Sequence, residues 1–287
     1  MTSIEANDLR SGFLGPVNIN PASVRDELSL IEHDYIDSYD EFVCGSWKTC
    51  LLVNSTGNPH DGQVIDYGTP SRPTPTAVKV PYLMSVIEDN FNVSALRYAR
   101  VTKLTPSTVV VPHRDYVELA EPLIRIHVPL STHPQAYASE LETIYHMGVG
   151  EAWFLNASKP HSIANFSDHD RLHLLLDFAA TGPESVFRSD DSQRSPLIPQ
   201  RSIAKRRPFG PGDETVLRLL GDLIDEHNFT EIVSIVIKRY FQTDMRIIEV
   251  FDWLDEITSL SGDEILTAKA TWLRDHALVA RAETDAT

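Results

Sequence analysis

Between residues 95 and 180 the chain offers one strand pattern after another, with no helical period to separate them. STVVVPH is a β-branched run, and LIRIHVPL alternates, with Ile124, Ile126 and Val128 on one face and Arg125 and His127 on the other. TIYHM, EAWFLN, HSIANF and RLHLLLDF continue the series, divided by short Gly, Pro, Asn or Asp breaks. Parallel strands need long crossovers, so this succession predicts an antiparallel sandwich or jelly-roll barrel. Polar side chains at alternate positions of such strands face the barrel interior, a poor place for them unless they bind something.

The flanks differ in texture. Residues 1 to about 92 mix short strand-like and helical pieces with the loop NSTGNPHDGQVIDYGTPSRPTPT, which reads as a disordered stretch or as a lid over a pocket. From about residue 212, DETVLRLLGDLIDEHNF, TEIVSIVIKRYFQ, IIEVFDWLDEITSL and DEILTAKATWLRDHALVARAE carry apolar residues at three- and four-residue spacing. Asp213 and Asp263 each follow a Gly and open one of these segments as expected N-caps. The fold class is therefore mainly β with α. A double-stranded β-helix (jelly-roll, cupin-like) barrel with N-terminal α/β elements is expected over 1–200, and a C-terminal helical subdomain over 210–287. RSIAKRRP (201–208), between them, reads as a solvated basic linker.

Charge narrows the partners. The 41 acidic residues against 25 basic ones give a net charge of −16, which argues against the basic surface that nucleic acid requires. The same field repels anionic ligands, so any such ligand has to be caught by locally placed Arg or Lys. No run has the apolar length of a membrane span, and MTSIEANDLRSGFLG lacks the basic segment and apolar run of a signal peptide. A cytoplasmic protein with no membrane partner is expected. Cys44 and Cys50 stand as C-x5-C, which suits neither a zinc ribbon nor a thioredoxin-type pair, so reduced structural thiols are expected.

The segment VVVPHRDYVEL carries the chemistry. His113-Arg114-Asp115 is a His-x-Asp pair at a strand end, weak evidence alone, because 11 histidines and 41 acids produce about one or two such pairs by chance. A kinase His-Arg-Asp loop would place Asn five residues after the Asp; Ala120 stands there, and no Gly-rich phosphate loop precedes it. His161 opens the strand HSIANF, and Arg171 opens RLHLLLDF. Two imidazoles and a carboxylate on one face of a metal leave three positions open, the facial triad of non-haem Fe(II) oxygenases. Those positions suit a chelating 2-oxo acid and O2, and the planar fork of Arg171 suits the distal carboxylate of 2-oxoglutarate. The same ligands also suit zinc or manganese, and sequence alone leaves the metal open.

The segments YDEFVCGSWKTCLLVNSTG, VKVPYL, RYARVTKLTPSTVVVPHRDYVEL, RIHVPL, HMGVGEAWFLNASKPHSIANFS, RLHLLLDF and FDWLDEI resemble the bacterial free-L-proline cis-hydroxylases of cis-4 and cis-3 type. These belong to the aspartyl/asparaginyl β-hydroxylase group of 2-oxoglutarate oxygenases. The resemblance spans nearly the whole chain, with the cis-4 type the nearer. It implies a 2-oxoglutarate-dependent dioxygenase that uses Fe(II), 2-oxoglutarate and O2, with ascorbate as reductant in vitro, and releases succinate and CO2. His113, Asp115 and His161 are then the iron ligands and Arg171 the 2-oxoglutarate anchor, with Thr102 beside the same carboxylate and Arg125-Ile-His127 at the oxo-acid end. Retention of the Asp115 carboxylate favours hydroxylation over halogenation.

For a small-molecule amino-acid substrate, Arg97 is the candidate for its carboxylate, and Trp47 and Tyr39 are candidate walls of the pocket. Glu118 is a weaker candidate for the ammonium. Rival readings keep the chemistry but take L-pipecolate, another small amino acid or a carrier-tethered one, or make the chain a non-catalytic metal-binding barrel. The helical tail is open to two roles, a homodimer face or a cap on the barrel.

Overall fold

The computed structural model describes residues 9–38, 40–64, 70–115, 119, 123–188 and 196–279. Its larger sheet runs in the order β1 (Gly12–Pro16), β11 (Glu151–Leu155), β8 (Ile124–Ser131), β13 (Arg171–Phe178), β6 (Leu96–Leu104), β4 (Trp47–Asn54) and β2 (Ile36–Asp37), with β5 (Arg72–Pro73) paired to β4. The smaller sheet runs β10 (Thr143–Tyr145), β9 (Ala136–Glu140), β12 (His161–Asn165), β7 (Val109–Val110) and β3 (Val43–Cys44). Every ladder between these strands is antiparallel. From β6 onward the chain steps repeatedly from one sheet to the other, the winding of a double-stranded β-helix.

Alternation sorts the larger sheet into two unlike faces. Leu172, Leu174, Leu176 and Phe178 of β13 share one face with Ile126 and Val128 of β8 and with Ala99 and Val101 of β6. That face packs beneath helices α1 (Pro21–Leu30) and α2 (Pro81–Asn90) through Val24, Leu83 and Ile87. Truncating a fully buried residue there, Leu174→Ala for example, costs ~2–5 kcal/mol. Asn20 caps α1, its Oδ1 accepting from the N–H groups of Ala22 and Ser23, while Pro21 supplies a first turn that needs no N–H. The opposite face carries Arg171, His173 and Asp177 of β13, Arg125 and His127 of β8, and Arg100 and Thr102 of β6, all buried. These polar side chains lie in the barrel interior, as the alternation of LIRIHVPL predicts.

The helices α3 (Pro211–Leu219), α4 (Phe229–Gln242), α5 (Glu249–Ser261) and α6 (Glu264–Leu278) follow the β region. Their apolar faces join Val109, Val110 and Ile163 of the smaller sheet in one core cluster. Asp263 caps α6 as expected, accepting from the N–H groups of Ile265 and Leu266. Asp213 does not cap α3. The helix starts two residues earlier, because Pro211 can occupy its first turn, and Asp213 instead reaches back to the Gly210 N–H and pairs with Arg207 and Arg239.

Two further segments depart from expectation. Arg206, in the basic linker, is no solvated charge: its guanidinium donates to the carbonyls of Tyr240, Thr243 and Met245 and to that of Glu142, tying the end of α4 to the β10 hairpin. The run STVVVPH forms only the two-residue β7. Pro112 has no N–H to continue the ladder, and pairing resumes at an isolated bridge between His113 and His161. In the loop after β4, the buried Asn54 side chain holds residues 57–61 by accepting from Gly57 N and donating to the carbonyls of Asn58 and Asp61. Residues 65–69 of that loop lie outside the described residues. Among the described residues, no helix is long and apolar enough to cross a membrane. Cys44 and Cys50 are unbridged and buried, and burial pushes both thiols up to about 12.

Candidate active site

The bridge after β7 brings two histidines face to face. His113 and His161 exchange both backbone N–H···O bonds at 2.9 Å, which sets their side chains on the same side with ring centroids 4.3 Å apart. Each imidazole Nδ1 lies 2.9 Å from a carbonyl two residues back, that of Val111 for His113 and that of Lys159 for His161. A carbonyl only accepts, so each Nδ1 carries the proton and each Nε2 keeps its lone pair. Both lone pairs face Asp115, with Nε2 3.6 Å from Oδ1 for His113 and 3.7 Å from Oδ2 for His161. Asp115 is placed by its own N–H, which donates to Ala157 O at 2.7 Å.

Lone pairs turned toward a carboxylate across such gaps repel unless a cation stands between them. The three ligand atoms lie within 4.8 Å of one another, and all three residues are buried. Burial, then the neighbouring His113, holds His161 neutral, its pKa pushed down to about 3. Two neutral Nε2 donors and one carboxylate oxygen form the facial set that suits non-haem Fe(II), and carbonyl bonds at Nδ1 are the usual support for metal-bound imidazole. The residues present fit the metal.

A second set of groups lies on the inner face of the larger sheet, with Tyr145 on the edge strand of the smaller one. Arg171 is 3% exposed, and its Nη2 has no hydrogen-bond partner among the described residues. Burial lowers its pKa to about 9, leaving a charged guanidinium in want of an anion. His127 and His173 meet through their Nδ1 atoms at 3.4 Å and are held well below the usual imidazole pKa by burial and then by the Arg171 charge. Two neutral imidazoles sharing one proton across that contact leave one Nε2–H donor and one Nε2 acceptor, and neither Nε2 has a partner among the described residues. The Tyr145 hydroxyl is likewise buried. An orphaned cation beside orphaned donors in a closed interior fits a dicarboxylate such as 2-oxoglutarate. Thr102, opposite His173 on the neighbouring strand, donates to the His173 carbonyl at 3.4 Å.

Between these two sets runs a chain of buried charges. Arg125 donates through Nη1 to Asp115 Oδ2, and through Nε and Nη2 to the two oxygens of Asp177 at 2.8 and 3.2 Å. Arg100 donates through Nη2 to Asp177 Oδ2 at 2.8 Å, while its Nε is buried without a hydrogen-bond partner among the described residues. The inner face of the larger sheet thus carries three buried arginines, Arg100, Arg125 and Arg171, against the single aspartate Asp177. This is the local cationic patch that an anion would need inside a protein of net charge −16.

Of the expected substrate contacts, Trp47 and Arg97 are among the described residues. Trp47 is buried at the start of β4, opposite Leu104, and belongs to the core cluster with Phe42 and Val109. Arg97 is the extra residue of a β-bulge, since Asp177 pairs with Tyr98 and Phe178 with Leu96. Its Nη1 reaches the carbonyls of Ser94 and Leu96 at 3.4 Å. Tyr39 and Glu118 lie outside the described residues.

The family model for aspartyl/asparaginyl β-hydroxylase matches residues 20–181, and that for the C-terminal region of L-proline 3-hydroxylase matches 183–285. The chain belongs to the aspartyl/asparaginyl β-hydroxylase family. Within it, an L-proline cis-4-hydroxylase of Rhizobium meliloti (strain 1021) is 38% identical over 91% of this chain and 93% of the relative. An L-proline cis-3-hydroxylase of a Streptomyces species is 33% identical over 96% of this chain and 97% of the relative. Among solved structures, a Pseudomonas putida prolyl-4-hydroxylase is similar with a TM-score of 0.37 and 12% identity, over 61% of this chain and 94% of that chain.

Two members of the site escaped the sequence reading of this family member. His173 lies two residues beyond Arg171, and Arg100 two residues before Thr102, so each shares a face with a residue already singled out. Extending the period-2 argument from β8 to β13 and β6 would have found both.

Proposed function

We propose that this chain is an Fe(II)- and 2-oxoglutarate-dependent dioxygenase that hydroxylates free L-proline at a cis position, C4 or C3. The observation that carries the reading is the buried His113, Asp115 and His161 cluster, sharing an interior with Arg171, whose Nη2 has no hydrogen-bond partner among the described residues. The fold's winding, the family membership and the likeness to L-proline cis-hydroxylases all support it.

In this reading His113 Nε2, His161 Nε2 and an Asp115 oxygen hold the iron. When bound, iron with 2-oxoglutarate and O2 supplies the oxidant that turns a C–H bond into C–OH, as the oxo acid is split to succinate and CO2. Arg171 holds the distal carboxylate by a two-point hydrogen bond, and the Nε2–H of the His127–His173 pair gives that ligand a neutral donor. The buried interior excludes water from the reacting centre. Arg125 orients the Asp115 carboxylate, and Asp177 in turn fixes Arg125.

For the substrate carboxylate the geometry favours Arg100 over the bulged Arg97. Arg100 shares the inner face with Arg171, its Nε has no partner among the described residues, and it meets Asp177 beside the Arg125 guanidinium. A zwitterion anchored by its carboxylate at Arg100 and Arg125 presents its ring to the metal side of the barrel, and the placement of that ring sets which carbon is hydroxylated. Trp47 and Tyr39 are kept as candidate walls. The test is a panel of free amino acids with Fe(II), ascorbate and 2-oxoglutarate, scored by kcat/KM. L-Proline should lead L-pipecolate and acyclic amino acids, and chromatography of the product against cis-4 and cis-3 standards fixes the position. A different amino acid at the head of the panel would move the substrate while keeping the chemistry.

A further inference from the structure

Resting on the metal reading above, the geometry points to the last turn of α6 as a positioning element of the iron site, with Arg114 as the residue that couples them. Arg114 stands between the ligands His113 and Asp115. Its backbone N–H donates to Ala277 O at 2.9 Å, and its Nη1 lies 3.4 Å from Leu278 O. Both acceptors belong to the final turn of α6, where helix carbonyls have no intrahelical partner and the helix dipole is negative. The Arg114 Nε donates to Ser158 O at 2.7 Å, next to the Ala157 carbonyl that receives the Asp115 N–H. One guanidinium therefore bridges the helix end and the loop leading to His161.

A second connection joins the same two elements. The Phe42 ring lies between His113 and His276, 5.3 Å from each and tilted by only 12° and 23°. His276 in turn stacks on Trp272, 4.6 Å away and one turn earlier in α6. The orientation of the His113 imidazole is thus set from two sides, by its Nδ1 bond to Val111 O and by a ring stack seated on α6. More than 160 residues separate Arg114 from its acceptors, so this contact gives the C-terminal helices a task at the metal beyond covering the smaller sheet.

The test uses the full chain and Co(II), which takes the same nitrogen and oxygen donors and reports its coordination by visible absorption. Arg114→Ala should weaken Co(II) binding about tenfold or more, the usual scale for partners that orient metal ligands. It should also change the Co(II) spectrum while leaving the circular dichroism of the metal-free protein intact. Turnover of this variant should recover toward the wild-type kcat as Fe(II) is raised. Arg274→Ala, which removes the ion pairs of α6 with Asp252 and Asp255 of α5, serves as the comparison. It should lower thermal stability and leave the Co(II) affinity unchanged.

Unchanged affinity and spectrum in Arg114→Ala, or an equal loss in Arg274→Ala, would overturn the inference while the metal reading stood. Failure of the wild-type chain to bind Co(II) would overturn both. If Arg114→Ala does not fold, Arg114→Lys and His276→Ala carry the test under the same criteria.

Discussion

Asp177 grips Arg125 at both ends of its guanidinium, Nε to Oδ1 at 2.8 Å and Nη2 to Oδ2 at 3.2 Å, and leaves Nη1 to meet Asp115. Arg100 shares the Asp177 carboxylate. A buried carboxylate shared by two arginines offsets part of their charge and also orients the one that faces the metal cluster. Asp177→Asn keeps the shape but removes the charge, leaving two guanidinium groups under-paired in the interior. The expected cost is ~3–5 kcal/mol of stability, measured by denaturant unfolding. The surviving folded fraction should bind metal and substrate more weakly. A loss below about 1 kcal/mol would mean that Arg125 is held by other partners.

Arg171 is where charge geometry should matter most. Arg171→Lys keeps a cation but loses the fork that meets a carboxylate at two points. The KM for 2-oxoglutarate should rise by about 100-fold, while Co(II) affinity in the absence of the oxo acid stays within about twofold, since Arg171 is outside the ligand set. Equal loss of metal affinity would show that Arg171 supports the barrel and not the oxo acid.

The buried histidines give a pH signature. His127 and His173 are held neutral by burial and by Arg171, and His161 by burial and His113, with its pKa near 3. In the unfolded chain each takes up a proton below its ordinary value of about 6.5. Between pH 6.5 and about 3 the unfolded state therefore binds more protons, and stability falls as pH falls through that window. The slope is about 1.4 kcal/mol per pH unit for each histidine kept neutral, with no contribution from these groups above 6.5. Urea unfolding of the metal-free protein at pH 7.5, 6.5 and 5.5 should place the drop in the last interval. A protein more stable at 5.5 than at 6.5 would contradict these burial states.

Much of this was legible in the chain because period-2 alternation is a strong signal. LIRIHVPL and RLHLLLDF each set apolar residues on one face and charged or imidazole groups on the other, and the sheet registers agree. The triad could be picked out because His113 and Asp115 follow a β-branched run and His161 opens the strand HSIANF. Less legible were features that depend on contacts distant in sequence. Arg206 reads as a surface charge until the carbonyls around it are known, and no local rule foretells that Arg114 meets the end of α6. Alternation cannot anticipate the bulge at Arg97, so the side of β6 on which Arg100 falls is fixed by its spacing from Thr102, two residues on. The N-cap assigned to Asp213 failed for a local reason, since Pro211 begins the helix earlier.

The most direct test of the central claim is the ratio of succinate to hydroxyproline formed from 2-oxoglutarate and L-proline, followed by mass spectrometry in wild type and in Asp115→Ala. The predicted wild-type result is near one succinate per hydroxyproline, with one atom of 18O from labelled O2 in the new hydroxyl, and neither product above background in Asp115→Ala. Hydroxyproline undiminished in Asp115→Ala, or no hydroxylated product from wild type carrying bound iron and 2-oxoglutarate, would contradict the assignment of this barrel as a proline hydroxylase.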